Sequence, residues 1–126
     1  MTRIRFALAA VLAALTMSFV SPPAQAQSEM TWQIRSTYKY KVQVAFYSMD
    51  RKGHVWPGVN RAYNLDDSEV HNIRISCLGG EKICYGAWVT GESKLYWGVG
   101  NNNEHRCSNC CYTCSGGATQ VINLNN

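Results

Sequence analysis

Hydrophobic and polar residues alternate along much of the chain, and alternation with a period of two predicts β-strands. The clearest case is segment 41–47, where Val42, Val44 and Phe46 fall on one face. Further segments of the same kind lie at 32–34, 62–65, 94–100 and 119–124. Segment 27–30 is expected to be a loose leader, and nothing after it has the hydrophobic period of a helix.

Two further alternating segments, 74–78 and 83–89, lie on either side of the tripeptide Gly79-Gly80-Glu81. Because glycines favour tight turns between antiparallel strands, this part of the chain predicts a β-hairpin. In total the pattern gives six or seven short strands. Strands of this length and spacing predict an all-β fold, either a small β-sandwich or a small barrel.

The first 26 residues differ from the rest and have the pattern of a cleavable secretory signal peptide. Arg3 and Arg5 form the positive start, segment 6–20 is uncharged and mainly apolar, and Ala24-Gln25-Ala26 supplies the small residues of a cleavage site. The apolar run is shorter than the ~20 residues that span a bilayer, which disfavours an anchor. We therefore predict cleavage after Ala26, a single mature domain of residues 27–126, and no membrane anchor after cleavage.

Charge gives little indication of a partner. Loss of Arg3 and Arg5 lowers the formal net charge from +4 to +2. The densest basic stretch, segment 39–52, contains Asp50 among its lysines and arginine, which indicates a solvated loop rather than a nucleic-acid interface. We expect no nucleic-acid partner and an extracytoplasmic location, either periplasmic or secreted.

Cysteine usage is the strongest compositional signal. All six cysteines lie in the predicted mature domain: Cys77, Cys84, Cys107, Cys110, Cys111 and Cys114. An even number in a short exported domain predicts a disulfide framework. Four cysteines within segment 107–114 are hard to pair among themselves without strain. We therefore predict no free thiol and at least one bridge from this segment, here called the cysteine cluster, to Cys77 or Cys84.

Two other interpretations of the cysteine cluster remain open. Its two Cys-x-x-Cys units could bind zinc or copper(I), with His105 as an extra ligand, although zinc sites normally take such units from separated segments. One unit could instead exchange disulfides with a substrate, although a catalytic Cys-x-x-Cys usually begins a helix. Neither interpretation fits the pattern as well as structural bridges do, so we predict no metal and no cofactor.

Aromatic residues supply the candidates for ligand binding. Most of the four Trp and seven Tyr are expected to pack in the core. Trp56 lies in a predicted loop, beside Pro57 and Gly58, and is expected to be partly exposed, as binding residues in loops often are. Trp56 and Tyr63 are therefore the ligand-binding candidates.

No catalytic constellation is recognisable in the sequence. The three histidines lie far apart, and no nucleophile elbow, phosphate loop or His-Glu-x-x-His motif is present. The sequence therefore predicts a non-enzymatic module that binds a ligand or a protein partner. The alternative is a thiol redox or metal-handling protein that uses the cysteine cluster.

Overall fold

The computed structural model describes residues 17–18 and 26–125, so the predicted signal peptide lies almost entirely outside the described residues. Within them the chain forms nine β-strands, one 3-10 turn and no α-helix. The strands are β1 (Gln27–Ser36), β2 (Val42–Ser48), β3 (Val55–Trp56), β4 (Tyr63–Leu65), β5 (His71–Leu78), β6 (Lys82–Val89), β7 (Glu92–Gly98), β8 (Cys111–Thr113) and β9 (Ile122–Leu124). The 3-10 turn is Asn101–Asn103. The all-β fold class predicted from the sequence is confirmed.

The strands form two sheets. The smaller sheet has the order β5-β1-β9, with β5 antiparallel and β9 parallel to β1. The larger sheet has β2 and β6 at its centre, paired antiparallel from Val42↔Val89 to Ser48↔Ile83. Strands β3 and β4 pair with the other edge of β2, and β7 and β8 pair with β6. The described strands therefore form a two-sheet sandwich, and no closed barrel is found among them.

The main core lies between the two sheets. The alternating residues Val42, Val44 and Phe46 of β2 are fully buried, as are Trp32 and Ile34 of β1. The Trp32 and Phe46 rings stack across the interface with centroids 4.6 Å apart. Burial of a large apolar side chain stabilises a fold by roughly 1.5–3 kcal/mol. The apolar positions of the alternating pattern in β2 are therefore the ones that stabilise the contact between the sheets.

The strand count exceeds the prediction because β3 and β8 are only two and three residues long and carry no recognisable alternation. The loose leader predicted at 27–30 is also wrong. These residues belong to β1, where Gln27 pairs with Leu78 and the buried Met30 with Ile75. Long-range pairing therefore orders a segment whose local sequence has no strand signal.

The hairpin predicted around Gly79-Gly80-Glu81 is wrong in its pairing. Strand β5 pairs with β1 in the smaller sheet, and β6 pairs with β2 in the larger one. The connection between them therefore crosses from one sheet to the other. Glu81 holds this crossing: its carboxylate accepts a hydrogen bond from the Leu78 amide at 3.0 Å, and its own amide donates to the Leu78 carbonyl at 2.9 Å.

The six cysteines lie in three pairs at disulfide distance, and the described residues contain no free cysteine. The Cα atoms are 6.2 Å apart in Cys77–Cys114, 3.9 Å in Cys84–Cys111 and 5.7 Å in Cys107–Cys110. The first pair joins β5 of the smaller sheet to the residue that follows β8 of the larger sheet, and the second joins β6 to β8. Two pairs therefore connect the cysteine cluster to the rest of the domain. Such a set is typical of proteins of oxidising, extracytoplasmic compartments.

The structure also bears on membrane attachment. In residues 17–18 and 26–125 no helix has the length and apolar character needed to cross a membrane.

Candidate functional site

The outer face of the larger sheet, directed away from the smaller sheet, carries a second apolar cluster. It contains Ala45, Tyr47, Cys84, Trp88 and Val99, which are all buried. No third sheet covers this face in the described residues. Loops cover it instead, so the site is best understood from the way these loops are held.

The Asn101–Asn103 turn is held against the sheet by a close backbone approach. A Cβ atom on Gly86 of β6 would collide with the carbonyl oxygen of Gly100, so only glycine fits at this position. The Tyr96 and His105 rings stack with centroids 3.7 Å apart on the same side of the sheet. The Cys84–Cys111 pair then fixes the chain where it leaves the loop.

Tyr47 joins the sheet to the same turn. Its phenol oxygen accepts a hydrogen bond from the Asn102 amide at 2.9 Å. Burial raises the pKa of the Tyr47 phenol above its usual value, so the side chain is neutral at physiological pH. The hydrogen bond positions Asn102, which has the left-handed backbone angle φ 58° that asparagine tolerates better than most residues.

A cleft of about 290 Å³ lies between this turn and the loop that follows β3. We call it the outer-face cleft, and its lining comes from four separated parts of the chain. The lining residues are Gln43, Tyr47, Val55, Val59, Asn60, Arg61, Ala62, Trp88, Asn101 and Asn102. The shape is concave, as is typical of sites for small molecules, and the volume is near the lower end of their range of about 300–1,000 Å³.

The floor of the cleft is fixed by hydrogen bonds between its own side chains. The Trp88 indole N–H donates to the Gln43 side-chain oxygen at 3.2 Å. The Gln43 amide nitrogen lies 3.5 Å from the Asn64 side-chain oxygen. These bonds hold the Trp88 ring in one orientation, and they leave the amides of the walls as the groups available to a ligand.

The walls carry one cation and no carboxylate. Arg61 is exposed and is the one charged residue of the lining. It belongs to none of the three ion pairs of the described residues, which involve Arg51, His71 and Arg74. Its backbone amide donates to the Gly58 carbonyl at 3.1 Å, which anchors the loop that carries it. The cleft therefore has a positive local charge.

Trp56 is not the exposed platform that the sequence suggested. Its side chain is 8 % exposed, and its indole N–H donates to the Ser76 carbonyl of β5 at 2.7 Å. The pairing of Trp56 with Phe46 places both on the inner face of the larger sheet. The expectation of partial exposure is wrong, because the sequence does not reveal a strand as short as β3.

Tyr63 also lies away from the outer-face cleft. It is half-buried, packs against the main core and has its ring 5.9 Å from that of Phe46. Burial raises the pKa of its phenol. The structure brings neither Trp56 nor Tyr63 into the cleft, and a ligand-binding role for either stays a prediction.

One feature of the sequence indicates that the outer face of β2 is covered, although the cleft itself was not predicted. Gln43, Ala45 and Tyr47 lie on the face of β2 that alternation assigns to solvent, yet this face includes a large aromatic residue. An aromatic side chain on a nominally polar face indicates that something covers it. The loops that provide the cover have no such signal.

Glu81 is the most conspicuous buried ionisable group, and its surroundings account for it. It is 1 % exposed and forms a bidentate ion pair with Arg51, with N–O distances of 2.6 and 2.8 Å. Ser48 donates a further hydrogen bond to it. Burial raises the pKa of Glu81, but the hydrogen bonds from Arg51, Leu78 and Ser48 outweigh burial and lower it to about 2. Glu81 is therefore a structural anion.

The structure does not group the other candidate residues. Among the residues that it describes, no set of three or more His, Cys, Asp or Glu side chains is arranged to hold a metal ion. His71 pairs with Asp67 at 2.7 Å, His54 lies against Trp56, and His105 stacks on Tyr96. The cysteine cluster is paired as described above.

A second exposed surface lies at the edge formed by β7. Tyr38 contacts Tyr40 and Trp97 edge to face, with centroids 5.9 and 5.3 Å away, and Tyr40 is 57 % exposed. The Trp97 indole N–H donates to the Asn125 carbonyl at 2.8 Å. This edge is more open to solvent than the outer-face cleft, which leaves the cleft as the better-formed candidate site.

Three comparisons with known proteins find no match to this chain. No protein-family model matches the chain, and neither the curated proteins nor the solved structures give a match. The class that the fold defines is a small, disulfide-bridged, all-β domain with a loop-covered outer face.

Proposed function

We propose that this protein is an exported, non-enzymatic binding module that holds a small polar ligand in the outer-face cleft. The observation that carries the proposal is the cover of the outer face. A turn anchored by Cys84–Cys111 and by the Gly86–Gly100 contact lies over the sheet and leaves a concave, polar-walled cleft beside it.

Rigidity of the cleft supports a binding role. Its floor belongs to the two central strands, and the wall formed by Asn101 and Asn102 is tied to that floor by the Tyr47–Asn102 hydrogen bond. A site that is ordered before the ligand arrives loses less conformational entropy on binding. The conformational entropy of the cleft residues is therefore lost when the domain folds, and the disulfides stabilise that folded state.

The chemistry of the lining also supports binding rather than catalysis. Tyr47 and Arg61 are the ionisable residues of the cleft. Burial raises the pKa of the Tyr47 phenol above its usual value, further from the near-neutral pKa that suits a general acid or base. In the described residues, the lining contains no His, Cys, Asp or Glu side chain that could take that role. Export is supported by the signal-peptide pattern of residues 1–26 and by the paired cysteines, for either a periplasmic or a secreted protein.

The proposal can be tested by two-dimensional NMR on ¹⁵N-labelled protein purified after export. A mixture of small saccharides and amino acids is titrated while the indole N–H signals of Trp88 and Trp97 are followed. We expect the Trp88 signal and the Asn102 amide to shift with saturation. The Trp97 signal is the internal control, because Trp97 lies at the β7 edge. Saturable shifts confined to Trp97, or no saturable shift, would contradict the proposal.

The alternative is a thiol redox or metal-handling role for the cysteine cluster. Either role needs thiols, at least for part of a reaction cycle. The intact mass of the exported protein, measured before and after alkylation without reductant, counts them directly. An unchanged mass supports the binding module over a metal–thiolate site, and a gain of alkyl groups supports the alternative.

A further inference from the structure

The charge of the outer-face cleft indicates what its ligand carries. Arg61 has no carboxylate within ion-pair distance in the described residues, although three other cationic side chains have one. Every other polar side chain of the lining is neutral. The planar guanidinium presents paired N–H donors that match the two oxygens of a carboxylate. The site is therefore complementary to an anion that the protein does not itself supply.

The orientation of Arg61 is partly set before a ligand binds. Its backbone amide donates to the Gly58 carbonyl. Its side-chain Cδ lies close to the same glycine, only 3.3 Å from the position that a Cβ atom on Gly58 would occupy. The aliphatic part of the side chain therefore packs over Gly58. A guanidinium held in this way loses less rotamer freedom when it meets a carboxylate.

The amides of the walls indicate what else the ligand carries. In the described part of the chain, the side-chain amides of Asn60, Asn101 and Asn102 form no hydrogen bond with the protein, whereas Gln43 is engaged with Trp88. An amide side chain has both a donor and an acceptor, and a hydroxyl group pairs with both. A simple inorganic anion would use the donors alone. Free acceptors therefore favour a ligand with several hydroxyl groups.

The size and the floor of the cleft limit the ligand to about one ring. The volume of about 290 Å³ is small for a ligand site. Tyr47 and Trp88 form an aromatic floor against which the C–H groups of a saturated ring can pack. A single sugar unit, or one end of a longer chain, matches these dimensions better than an extended polymer segment.

We infer that the outer-face cleft binds a carboxylated saccharide unit, with the carboxylate on Arg61 and the hydroxyl groups on the amides of Asn60, Asn101 and Asn102. This inference rests on the proposed function and specifies its ligand. The carboxylate supplies the charge complementarity, and the ring hydroxyl groups use the acceptors that a bare anion would leave unpaired.

The test uses three probes at the same ionic strength: glucuronate, glucose and acetate. Affinities are measured for the exported protein by the Trp88 and Asn102 NMR shifts. We expect glucuronate to bind about tenfold more tightly than either glucose or acetate, because each of these lacks one of the two recognised features. We expect Arg61→Gln to weaken glucuronate binding about tenfold and to leave the melting temperature unchanged. Arg106→Gln, at an exposed arginine outside the cleft lining, is the matched control and should bind as the wild type does.

The outcomes separate this inference from the proposed function. If glucose binds in the cleft as tightly as glucuronate, or if Arg61→Gln keeps full glucuronate affinity, the inference is overturned and a neutral-ligand module stands. If acetate equals glucuronate, the saccharide part is overturned. If none of the three probes shifts Trp88 or Asn102, the inference is overturned, whereas the proposed function fails only when the wider mixture is also without effect.

Discussion

The two faces of the larger sheet bury their apolar side chains in different ways. The inner face buries Val44 and Phe46 against another sheet, whose Trp32 and Ile34 interdigitate with them. The outer face buries Tyr47 and other residues under loops, which need a disulfide and a backbone contact to stay in place. The cluster between the sheets is the larger of the two, and the loop cover of the outer face leaves room for a cleft.

The largest effect should come from the inner face. Trp32→Ala removes a fully buried ring that stacks on Phe46 and contacts Tyr112, so we expect a loss of about 3–5 kcal/mol in the free energy of unfolding. Urea denaturation followed by tryptophan fluorescence measures it. Tyr96→Ala, at an exposed position on the outer side, is the control and should cost much less. Equal losses for the two variants would show that the faces do not differ in this way.

The bridge between the sheets should matter more than the bridge within the loop. In the chain-entropy account, a bridge that closes the longer loop stabilises more. Loss of Cys77–Cys114, which spans 37 residues, should cost about 4 kcal/mol, and loss of Cys107–Cys110, which spans 3, about 2 kcal/mol. Paired Cys→Ser double variants and thermal melts test the order. A greater loss from the short bridge would make the loop, rather than the joined sheets, the critical element.

Glu81, at the crossing between the sheets, should make the free energy of unfolding depend on pH. The pKa of Glu81 is lowered from 4.5 to about 2 in the folded protein. Its stabilising contribution is therefore fully present above about pH 4.5 and is lost as the pH falls through about 2. At pH 7, Glu81→Gln should lower the free energy of unfolding by roughly 3 kcal/mol. The difference from the wild type, measured by urea midpoints from pH 7 to 2, should shrink across that window; a constant difference would contradict this account.

The smallest of these effects should come from the outer face. Tyr47→Phe removes the acceptor of the Asn102 amide and leaves the ring in place, so we expect a loss of about 0.5–1.5 kcal/mol. Amide hydrogen exchange should increase at Asn102 and remain unchanged in β1. If exchange at Asn102 is unaffected, the turn is held by its other anchors, and Tyr47 does not position the cleft wall.

The two faces also differ in how far the sequence predicts them. Alternation in β2 correctly indicates Val42, Val44 and Phe46 as core, because burial between sheets imposes a period of two on one chain segment. It does not indicate which strand pairs with which. The glycines before Glu81 predict a turn, but the choice between a hairpin and a crossing depends on the distant partners β1 and β2.

The outer-face cleft is harder to predict for a related reason. Its residues come from segments 43–47, 55–62 and 101–102, and Trp88 adds a fourth position. Their meeting depends on a glycine contact and a disulfide, neither of which has a periodic signature. Trp56 shows the converse error, because a loop sequence of Trp-Pro-Gly suggested exposure where a two-residue strand turns the ring into the core.

The arrangement of the disulfide bridges also determines whether proteolytic cleavage separates the chain into free fragments. Arg106 is exposed and immediately precedes the cysteine cluster, so it is open to an enzyme that cuts after basic residues. A cut there would separate the chain into two pieces, yet Cys77–Cys114 and Cys84–Cys111 both join one piece to the other. The nicked molecule would migrate as one species until a reductant released the fragments. In an oxidising, extracytoplasmic compartment, where reductants are scarce, a chain broken at this point would remain a single covalent unit.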